Sequence, residues 1–456
     1  MVSMSITEEL DTHHKALTLN LDSSIFGSFA EIGAGQEVAR WFLVVGAASG
    51  TVAKTISAYD KEVSDDLYGS GSRYVSRERL DAMVNGEWTQ LPNQLDEARG
   101  PQTRFFCFVD TVSARNYAGT NEAHGWVGLR IQREPRGQPN DILLHINLQD
   151  ATNLLQQEAI GILGVNLIYA AFYQSQPKEY FFESIAKEVE NRIEIDYVDL
   201  GGPAFETWDR RALLVHLVRA GFAKAVCFPW NSGPVPPTEI LHKKAVVLAP
   251  GYFIHVDPAH AEIHARLLAS AIQQLQGELG ETKPAPAGFF CLTLAPPNPT
   301  AAFPEIPDVL KRVDALCAHR SDVLLVRERE LYTMTDFVNR FTKEPVRFVV
   351  GLSLMIRAFE DRYSKLDGHS LAALSRLFAQ NVRIYAYPMT AQDLRESIQG
   401  FSTLDWGLSE TNGWVSAHQL HPAPPLGHLY AYLLASNFLV PIEQHENPPA
   451  FAGTSP

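Results

Sequence analysis

The densest group of chemically versatile side chains follows Gly251 in the sequence. Within ten residues lie five groups that can bind a metal ion or move a proton: His255, Asp257, His260, Glu262 and His264. Asp257 followed by Pro258 predicts a helix start, which would place His260 and His264 one turn apart on one helix face. Such a pair of imidazoles, with Asp257 beside it, can hold a divalent metal, or it can meet a phosphate group at a helix N-terminus.

Three interpretations of this segment stay open. It holds a metal, it binds a phosphorylated ligand, or it is a capped surface helix that carries histidines without a ligand. A zinc helix of the H-E-x-x-H type needs its glutamate directly after the first histidine, whereas Glu262 stands one position later. The residues of the segment that we consider as ligand-binding candidates are Gly251, Phe253, His255, His260 and His264; the metal candidates are His260, His264 and Asp257.

A second candidate is the pair of glycines Gly33 and Gly35, which begins like a dinucleotide-binding fingerprint. That fingerprint needs a third small residue, where this sequence has Val38, and a strand in front, where FGSFAEI is a poor strand pattern. The alternative is a helix entry whose glycines permit a tight turn.

Nucleophilic catalysis has little support in the sequence. There is no G-x-S-x-G motif, and the four cysteines are widely separated without a C-x-x-C pair. Three of them lie inside apolar runs, which predicts buried free thiols and a reducing compartment.

Composition sets the class of protein. The chain has 456 residues, 46% of them hydrophobic, and a formal charge of −14. A polyanion of this kind repels nucleic acid and anionic lipid, so we expect neither as a partner. The N-terminal residues show no export signal, and no long apolar run lacks charges, so we expect a cytoplasmic protein without a membrane span.

The pattern of apolar residues predicts an α/β protein. Four strand-like runs in the first part of the chain suggest an antiparallel or mixed sheet: 51–59, 104–112, 125–132 and 141–148. A stretch at 151–173 is apolar on nearly every side, which indicates a central or interface helix. Beyond residue 193 strands and helices alternate, which implies parallel strands.

These patterns predict an α+β N-terminal domain with a mixed sheet, followed by a smaller Rossmann-like parallel α/β domain. The predicted segments are a flexible tail at 1–20, the mixed-sheet domain at 21–280, a Pro-rich linker at 281–304, the Rossmann-like domain at 305–395 and an irregular extension at 396–456.

The segments FGSFAEIGAGQEVARWF, SGTVAKTISAYDKEVSDDLYG and QQEAIGILGVNLIYAAFY resemble a largely uncharacterised family of bacterial proteins of similar length. The resemblance covers roughly residues 20–390. Members carry labels such as nicotinate-nucleotide adenylyltransferase or TonB-dependent receptor. We reject the receptor label, because such a receptor needs an export signal and many alternating strands, whereas this sequence predicts many helices.

The adenylyltransferase label implies a G-x-F-x-P-x-H-x-G-H loop whose histidines stabilise the phosphates of ATP. The order of these residue types is kept by Gly251, Phe253, Pro258, His260 and His264. The sequence departs from the loop by three extra residues before Pro258 and by Glu262 and Ile263 in place of the last glycine. The resemblance therefore implies a nucleotide ligand, but it does not establish which reaction, if any, the protein catalyses.

Two functional hypotheses follow, and whether the first includes catalysis stays open. The first is a protein that binds a nucleotide or another phosphorylated metabolite, with a divalent metal as an alternative ligand. The second is a noncatalytic homo-oligomeric scaffold, suggested by the apolar helix at 151–173 and by aromatic residues near Trp41 and Trp126. The two hypotheses are not exclusive, and we expect self-association.

Overall fold

The computed structural model of the chain describes residues 10–71, 73–119, 121–174, 178–254, 258–280, 282–296 and 300–442. The chain divides into two compact units, Met1–Ala223 and Lys224–Pro456, called here unit 1 and unit 2. Both units combine helices with sheets, which confirms the predicted α/β class.

Unit 1 begins with a helix, and along the chain its two longest helices connect strands of the sheet. Its elements are α1 (Thr12–Leu21), β1 (Ile25–Gly33), α2 (Glu37–Val44), β2 (Val52–Ile56), α3 (Lys61–Tyr68), α4 (Arg77–Arg99), β3 (Arg104–Ser113), β4 (His124–Gln132), β5 (Pro139–Leu148), α5 (Asn153–Tyr173), α6 (Lys178–Ala186), β6 (Ile193–Gly201) and α7 (Arg210–Ala220).

The sheet of unit 1 is mixed, as the sequence predicts. Its strand order is β2-β1-β3-β4-β5-β6. The first three strands run parallel, and each pair from β3 to β6 is antiparallel. Helix α4 packs on one face of this sheet, and α2 lies against α5. Both β1 and β3 are buried along nearly their whole length, as strands covered on both faces are.

Short polar side chains start the helices of unit 1. The side chain of each N-cap residue accepts a hydrogen bond from a backbone amide of the first helical turn, which satisfies a donor that the helix leaves open. These N-cap residues are Asp11, Asp60, Ser76, Thr152 and Asp209.

Helix α5 is the central helix of unit 1. By length and composition it is apolar enough to cross a membrane, but 72% of its most apolar window is buried inside the protein. It packs against α1, α2 and α6. Its apolar character on nearly every side is therefore explained by neighbours within the same unit, as in the core helix of a globular protein.

Unit 2 alternates strands with helices. Its elements are β7 (Ala225–Phe228), α8 (Pro237–Leu241), β8 (Val246–Gly251), α9 (Pro258–Leu279), β9 (Ala287–Thr293), α10 (Ile306–Cys317), β10 (Asp322–Val326), α11 (Leu331–Val338), β11 (Val346–Gly351), α12 (Leu352–Arg357), α13 (His369–Leu377), β12 (Val382–Tyr387), β13 (Met389–Thr390), α14 (Ala391–Gln399), β14 (Trp406–Leu408), β15 (Trp414–Val415), β16 (Leu420–Pro422), α15 (Leu426–Ala435) and β17 (Leu439–Pro441).

The main sheet of unit 2 has the strand order of a Rossmann fold. Its seven strands lie in the order β17-β12-β11-β8-β9-β10-β7, and all are parallel except β7. Counted along the chain from β8, the six parallel strands have the order 3-2-1-4-5-6, which is that of dinucleotide-binding Rossmann folds. The Rossmann-like prediction is thus met by a larger unit than the sequence indicated.

The boundaries of the units differ from the predicted ones. The predicted linker at 281–304 contains β9, which pairs with β8 and β10; the chain divides instead after Ala223. The predicted extension at 396–456 contains β17, which pairs with β12. Flanking prolines made the apolar run of β9 resemble part of a linker, and β17 has only 3 residues.

The predicted flexible tail at 1–20 contains most of α1. Its buried face includes the polar residues Thr12, Lys15 and Asn20, so the apolar periodicity is weak. Hydrogen bonds compensate for their burial: Lys15 Nζ donates to Asn166 Oδ1 at 2.7 Å, and Asn20 donates to the carbonyl of Phe42 at 2.8 Å. Polar burial therefore explains why the helix was missed.

Candidate functional site

The fold places the C-terminal ends of β8 and β11 side by side in unit 2, at the point where the strand order reverses. Ligands of open α/β sheets bind in the crevice at such a switch point. The candidate segment that begins at Gly251 starts there, because Gly251 is the last residue of β8.

The histidines of this segment lie on one helix, as the spacing predicts. His260 and His264 belong to α9, which begins at Pro258. His255 and Asp257 lie outside the described residues. The ring of Phe253 packs edge-on against that of His264, with centroids 5.1 Å apart, and the backbone of Phe253 has a φ of +46°, which non-glycine residues rarely adopt.

The ionisation of His264 limits its chemistry. Burial, reinforced by repulsion from His260, lowers the pKa of His264 to about 4. The imidazole is therefore neutral at neutral pH, where it can donate or accept a hydrogen bond but supplies no positive charge to a phosphate. Within the described ranges no three His, Cys, Asp or Glu side chains are grouped so that they could hold a metal ion.

A cluster of charged and aromatic residues, which we call the arginine cluster, occupies the same edge of the sheet. It consists of Tyr252, Arg329, Glu330, Arg357 and Tyr363. Tyr252 follows β8, Arg329 and Glu330 lie between β10 and α11, and Arg357 ends α12, directly after β11. Loops from three strands thus bring these residues together.

Ion pairs and aromatic contacts connect the arginine cluster. Arg357 Nη2 donates to Glu330 Oε1 at 2.7 Å, and Arg329 Nε lies 3.3 Å from the same oxygen. Arg329 Nη1 donates to the hydroxyl of Tyr252 at 2.8 Å. The guanidinium carbon of Arg357 lies 3.1 Å from the centre of the Tyr363 ring, so the arginine is stacked on that ring.

Burial governs the charges of this cluster. Arg357 is only 6% exposed, and its Nε and Nη1 atoms have no hydrogen-bond acceptor in the part of the chain that the structure describes. Burial raises the pKa of Glu330 to about 7, although the positive charges of Arg329 and Lys365 oppose the shift. Glu330, the carboxyl group that pairs with Arg357, is therefore partly protonated at neutral pH.

The other carboxylate beside Arg357 is already fully occupied. Glu360 is 1% exposed and lines the same small pocket as Glu330 and Arg357. It accepts hydrogen bonds from the backbone and hydroxyl of Thr403 and from the hydroxyl of Ser402. Its lone pairs are directed to this loop rather than to Arg357.

In unit 1, the two glycine candidates have a conformational reason for their identity. Gly33 has a φ of +83°, and a Cβ atom there would lie 2.1 Å from the carbonyl oxygen of Val112. A Cβ atom at Gly35 would lie 2.2 Å from Asp110 Oδ1. In contrast to the weak strand pattern, β1 does precede this turn. Only glycine fits where the turn passes so close to β3.

The helix that follows these glycines has its N-terminal amides occupied. The carboxylate of Glu31 accepts hydrogen bonds from the amides of Val38 and Ala39, at 3.1 and 2.9 Å. Asp110 is paired with Glu31 in the register of β1 and β3 and is fully buried. Two acidic groups at this position oppose a phosphate, so the structure favours the tight turn over a dinucleotide site at Gly33 and Gly35.

Unit 1 also contains a chain of hydrogen-bonded polar side chains that sequence reasoning missed. His124 Nδ1 lies 3.0 Å from His145 Nε2, and His145 Nδ1 lies 2.6 Å from Asp196 Oδ1. Asn147 donates to Asp196 Oδ2 at 2.7 Å. A bulge in β6 opposite His145 positions Asp196. The residues come from three strands and share no local motif.

The cysteines agree with the prediction of buried free thiols. Cys107, Cys227 and Cys291 are buried, Cys317 is partly exposed, and all four are free. Burial raises the pKa of Cys107 to about 12 and that of Cys291 further. Buried thiols with raised pKa values are poor nucleophiles.

The chain was compared with family models, curated proteins and solved structures. No family model and no curated protein matches the chain. Among solved structures, it is similar to the competence/damage-inducible protein CihA from Agrobacterium tumefaciens, with 17% identity over 35% of this chain and 95% of that chain and a TM-score of 0.26.

Two further solved structures are similar to the same degree. The competence damage-inducible protein A (ComA) from Klebsiella pneumoniae subsp. pneumoniae MGH 78578 has 14% identity over 36% of this chain and 97% of that chain, with a TM-score of 0.25. A competence-damaged protein (CinA) superfamily protein from Enterobacter cloacae has 12% identity over 41% of this chain and 95% of that chain, with a TM-score of 0.23. These matches cover 35–41% of this chain and 95–97% of the solved chains, so only part of this chain is similar to nearly the whole of each of those proteins.

Proposed function

We propose that unit 2 binds a nucleotide or another small phosphorylated metabolite at the C-terminal edge of its main sheet. The observation that carries the proposal is the strand order, since a sheet with the order 3-2-1-4-5-6 opens a crevice between its first and fourth parallel strands. In unit 2 these are β8 and β11.

The side chains at this edge support a polar, anionic ligand. His260 and His264 lie on the helix that follows β8, and the arginine cluster adds Arg329 and Arg357 from the neighbouring loops. Because His264 is neutral at neutral pH, the positive charge that a phosphate needs comes from the arginines. The proposal is for binding and assigns no reaction.

The apolar helix that suggested the scaffold hypothesis is explained by packing within unit 1. Helix α5 was expected to offer an apolar interface, but most of it is buried within unit 1, and large apolar side chains are exposed only near its two ends, at Leu154, Leu155 and Tyr173. Self-association stays a prediction that sedimentation of the full chain can test.

The binding proposal is tested by the thermal stability of the full chain with added ligands. We expect at least one of ATP, AMP, NAD and nicotinamide mononucleotide to raise the melting temperature, because a ligand at 100 times its Kd stabilises the folded state by about 2.7 kcal/mol. A panel without any shift would contradict the proposal.

Two histidine variants locate the site. His260→Ala and His264→Ala should reduce the ligand-induced shift, since both positions lie at the proposed edge. His418→Ala is the control, because His418 is exposed and lies in a different part of unit 2. An equal shift in all three variants would place the ligand elsewhere.

A further inference from the structure

Arg357 has hydrogen-bond donors that the described protein does not satisfy. The side chain is buried, and neither Nε nor Nη1 has an acceptor within the described ranges. Leaving donors of a buried charged group without partners is costly, and folded proteins satisfy nearly all of them. Water or a ligand atom can supply the acceptor that the described residues do not.

The surroundings hold the guanidinium of Arg357 in place before a ligand arrives. Tyr363 stacks on its plane, and Glu330 accepts from its Nη2. A guanidinium with one nitrogen anchored and two others open is suited to an oxyanion, because arginine remains charged and its donors match phosphate oxygens.

The two carboxyl groups near Arg357 do not take up its open donors. Glu330 is the carboxylate that pairs with Arg357, but burial disfavours its charged form. Glu360 lines the same pocket, yet the loop at Ser402 and Thr403 occupies its oxygens. A phosphate oxygen brought to Nε or to Nη1 would thus satisfy a donor that no described carboxylate takes.

We propose that Arg357 is the anion anchor of unit 2 and donates a hydrogen bond from Nε or Nη1 to a phosphate group of the bound ligand. This inference rests on the proposed function and adds the residue and the recognised group. The phosphate can be inorganic or part of a nucleotide, and the experiment separates the two sources.

The test is isothermal titration calorimetry of the full chain with AMP, inorganic phosphate and adenosine at constant ionic strength. We expect AMP to bind and adenosine to bind at least about tenfold more weakly, because adenosine lacks the charged acceptor. Binding of inorganic phosphate alone would assign the anchor to the free ion, and binding of AMP alone would assign it to the nucleotide.

Three variants test Arg357 itself. Arg357→Gln should weaken AMP or phosphate binding at least about tenfold, whereas Arg395→Gln should leave it unchanged, because Arg395 is exposed and paired with Glu410. Glu330→Gln should strengthen binding about threefold, since the competing carboxylate loses its charge while its shape is kept. This gain of affinity keeps the inference testable even if Arg357→Gln fails to fold.

Several outcomes would overturn the inference. They are equal binding of AMP and adenosine, unchanged affinity in Arg357→Gln, weaker binding in Glu330→Gln, and failure of the wild type to bind either phosphate or AMP. The last result means that water alone fills the pocket. The proposed function survives each of these if another nucleotide of the panel binds, and it fails only if the whole panel does.

Discussion

At the scale of single residues, unit 1 carries an unusual pair of carboxyl groups. Asp110 Oδ1 accepts from the amide of Ile32 at 3.2 Å, while Oδ2 is buried without a hydrogen-bond partner in the described chain. Burial, and then repulsion from Glu31, raises the pKa of Asp110 well above its ordinary value, and burial also raises that of Glu31. The native state therefore binds protons more tightly at these sites than the unfolded chain.

The pair predicts how stability depends on pH. The folded pKa values of these groups lie above the unfolded ones. Their contribution to the free energy of unfolding is therefore highest below about pH 4 and falls as the pH rises through the folded values. Asp110→Asn keeps an oxygen for the Ile32 amide and carries no charge. We expect it to stabilise the protein by about 1–3 kcal/mol at pH 8 and to flatten the pH dependence.

Urea unfolding between pH 5 and pH 8 measures this effect. The control is Asp96→Asn, since Asp96 is half-exposed and paired with Arg136, and we expect that variant to change stability by less than about 1 kcal/mol. Destabilisation of Asp110→Asn at pH 8 would show that the ionised carboxylate has a partner in the native state.

Candidate residues were predictable from sequence only where their spacing carried the signal. His260 and His264 were placed on one helix face because they are four positions apart after an Asp-Pro pair that predicts a helix start. Arg357 had no such signal, because its partner Glu330 is 27 positions away and its stacking partner Tyr363 lies in another turn. Contacts between distant loops arise only from the fold.

At the scale of elements, the close approach of α2 and α5 depends on a glycine. A Cβ atom at Gly164 would lie 2.3 Å from Cγ2 of Val38, a branched side chain that is fully buried. Gly161, one turn earlier, faces Glu37 of α2 in the same way. The helices therefore pack backbone against side chain, without room for a methyl group.

Gly164→Ala is accordingly expected to destabilise unit 1. Alanine gains roughly 1 kcal/mol in helix propensity, but the clash outweighs this gain, and the net free energy of unfolding should fall by about 1–3 kcal/mol. Gly277→Ala in α9 is the matched control, because nothing lies within 4 Å of its added Cβ, and it should be neutral or slightly stabilising.

A double variant separates steric conflict from other causes. Val38→Ala makes room beside Gly164, so the double variant Val38→Ala, Gly164→Ala should lose less stability than the sum of the single changes. Thermal unfolding of the four proteins measures this coupling. Additive losses would mean that the two positions do not compete for the same space.

Elements with a long apolar run were easier to predict than elements whose buried face includes polar residues. The apolar stretch at 151–173 corresponds closely to α5 (Asn153–Tyr173). Helix α4 (Arg77–Arg99) was missed, because Pro92 interrupts its pattern and its buried residues include Arg79 and Glu87. Those polar residues find partners only in the folded unit, as in the ion pair of Arg79 with Asp65.

At the scale of the whole molecule, the division of the chain is the feature that sequence composition placed wrongly. Proline-rich stretches commonly separate domains, but the stretch around 281–304 encloses β9, one of the inner strands of the main sheet of unit 2. The true division follows α7, at Ala223, where no change in composition marks it. Strand pairing, which composition does not encode, decides where a unit begins.

This division predicts which fragment folds alone. All seven strands of the main sheet and its surrounding core lie between residues 224 and 442. We expect residues 224–456 to give a cooperative thermal transition and dispersed amide resonances. Residues 281–456, the fragment that starts at the predicted linker, should not, because they lack β8. That strand joins β9 to β11, so its loss leaves two separate groups of strands with exposed edges. A cooperative transition in the shorter fragment would mean that β8 is dispensable, and the crevice proposed beside it would then have no structural basis.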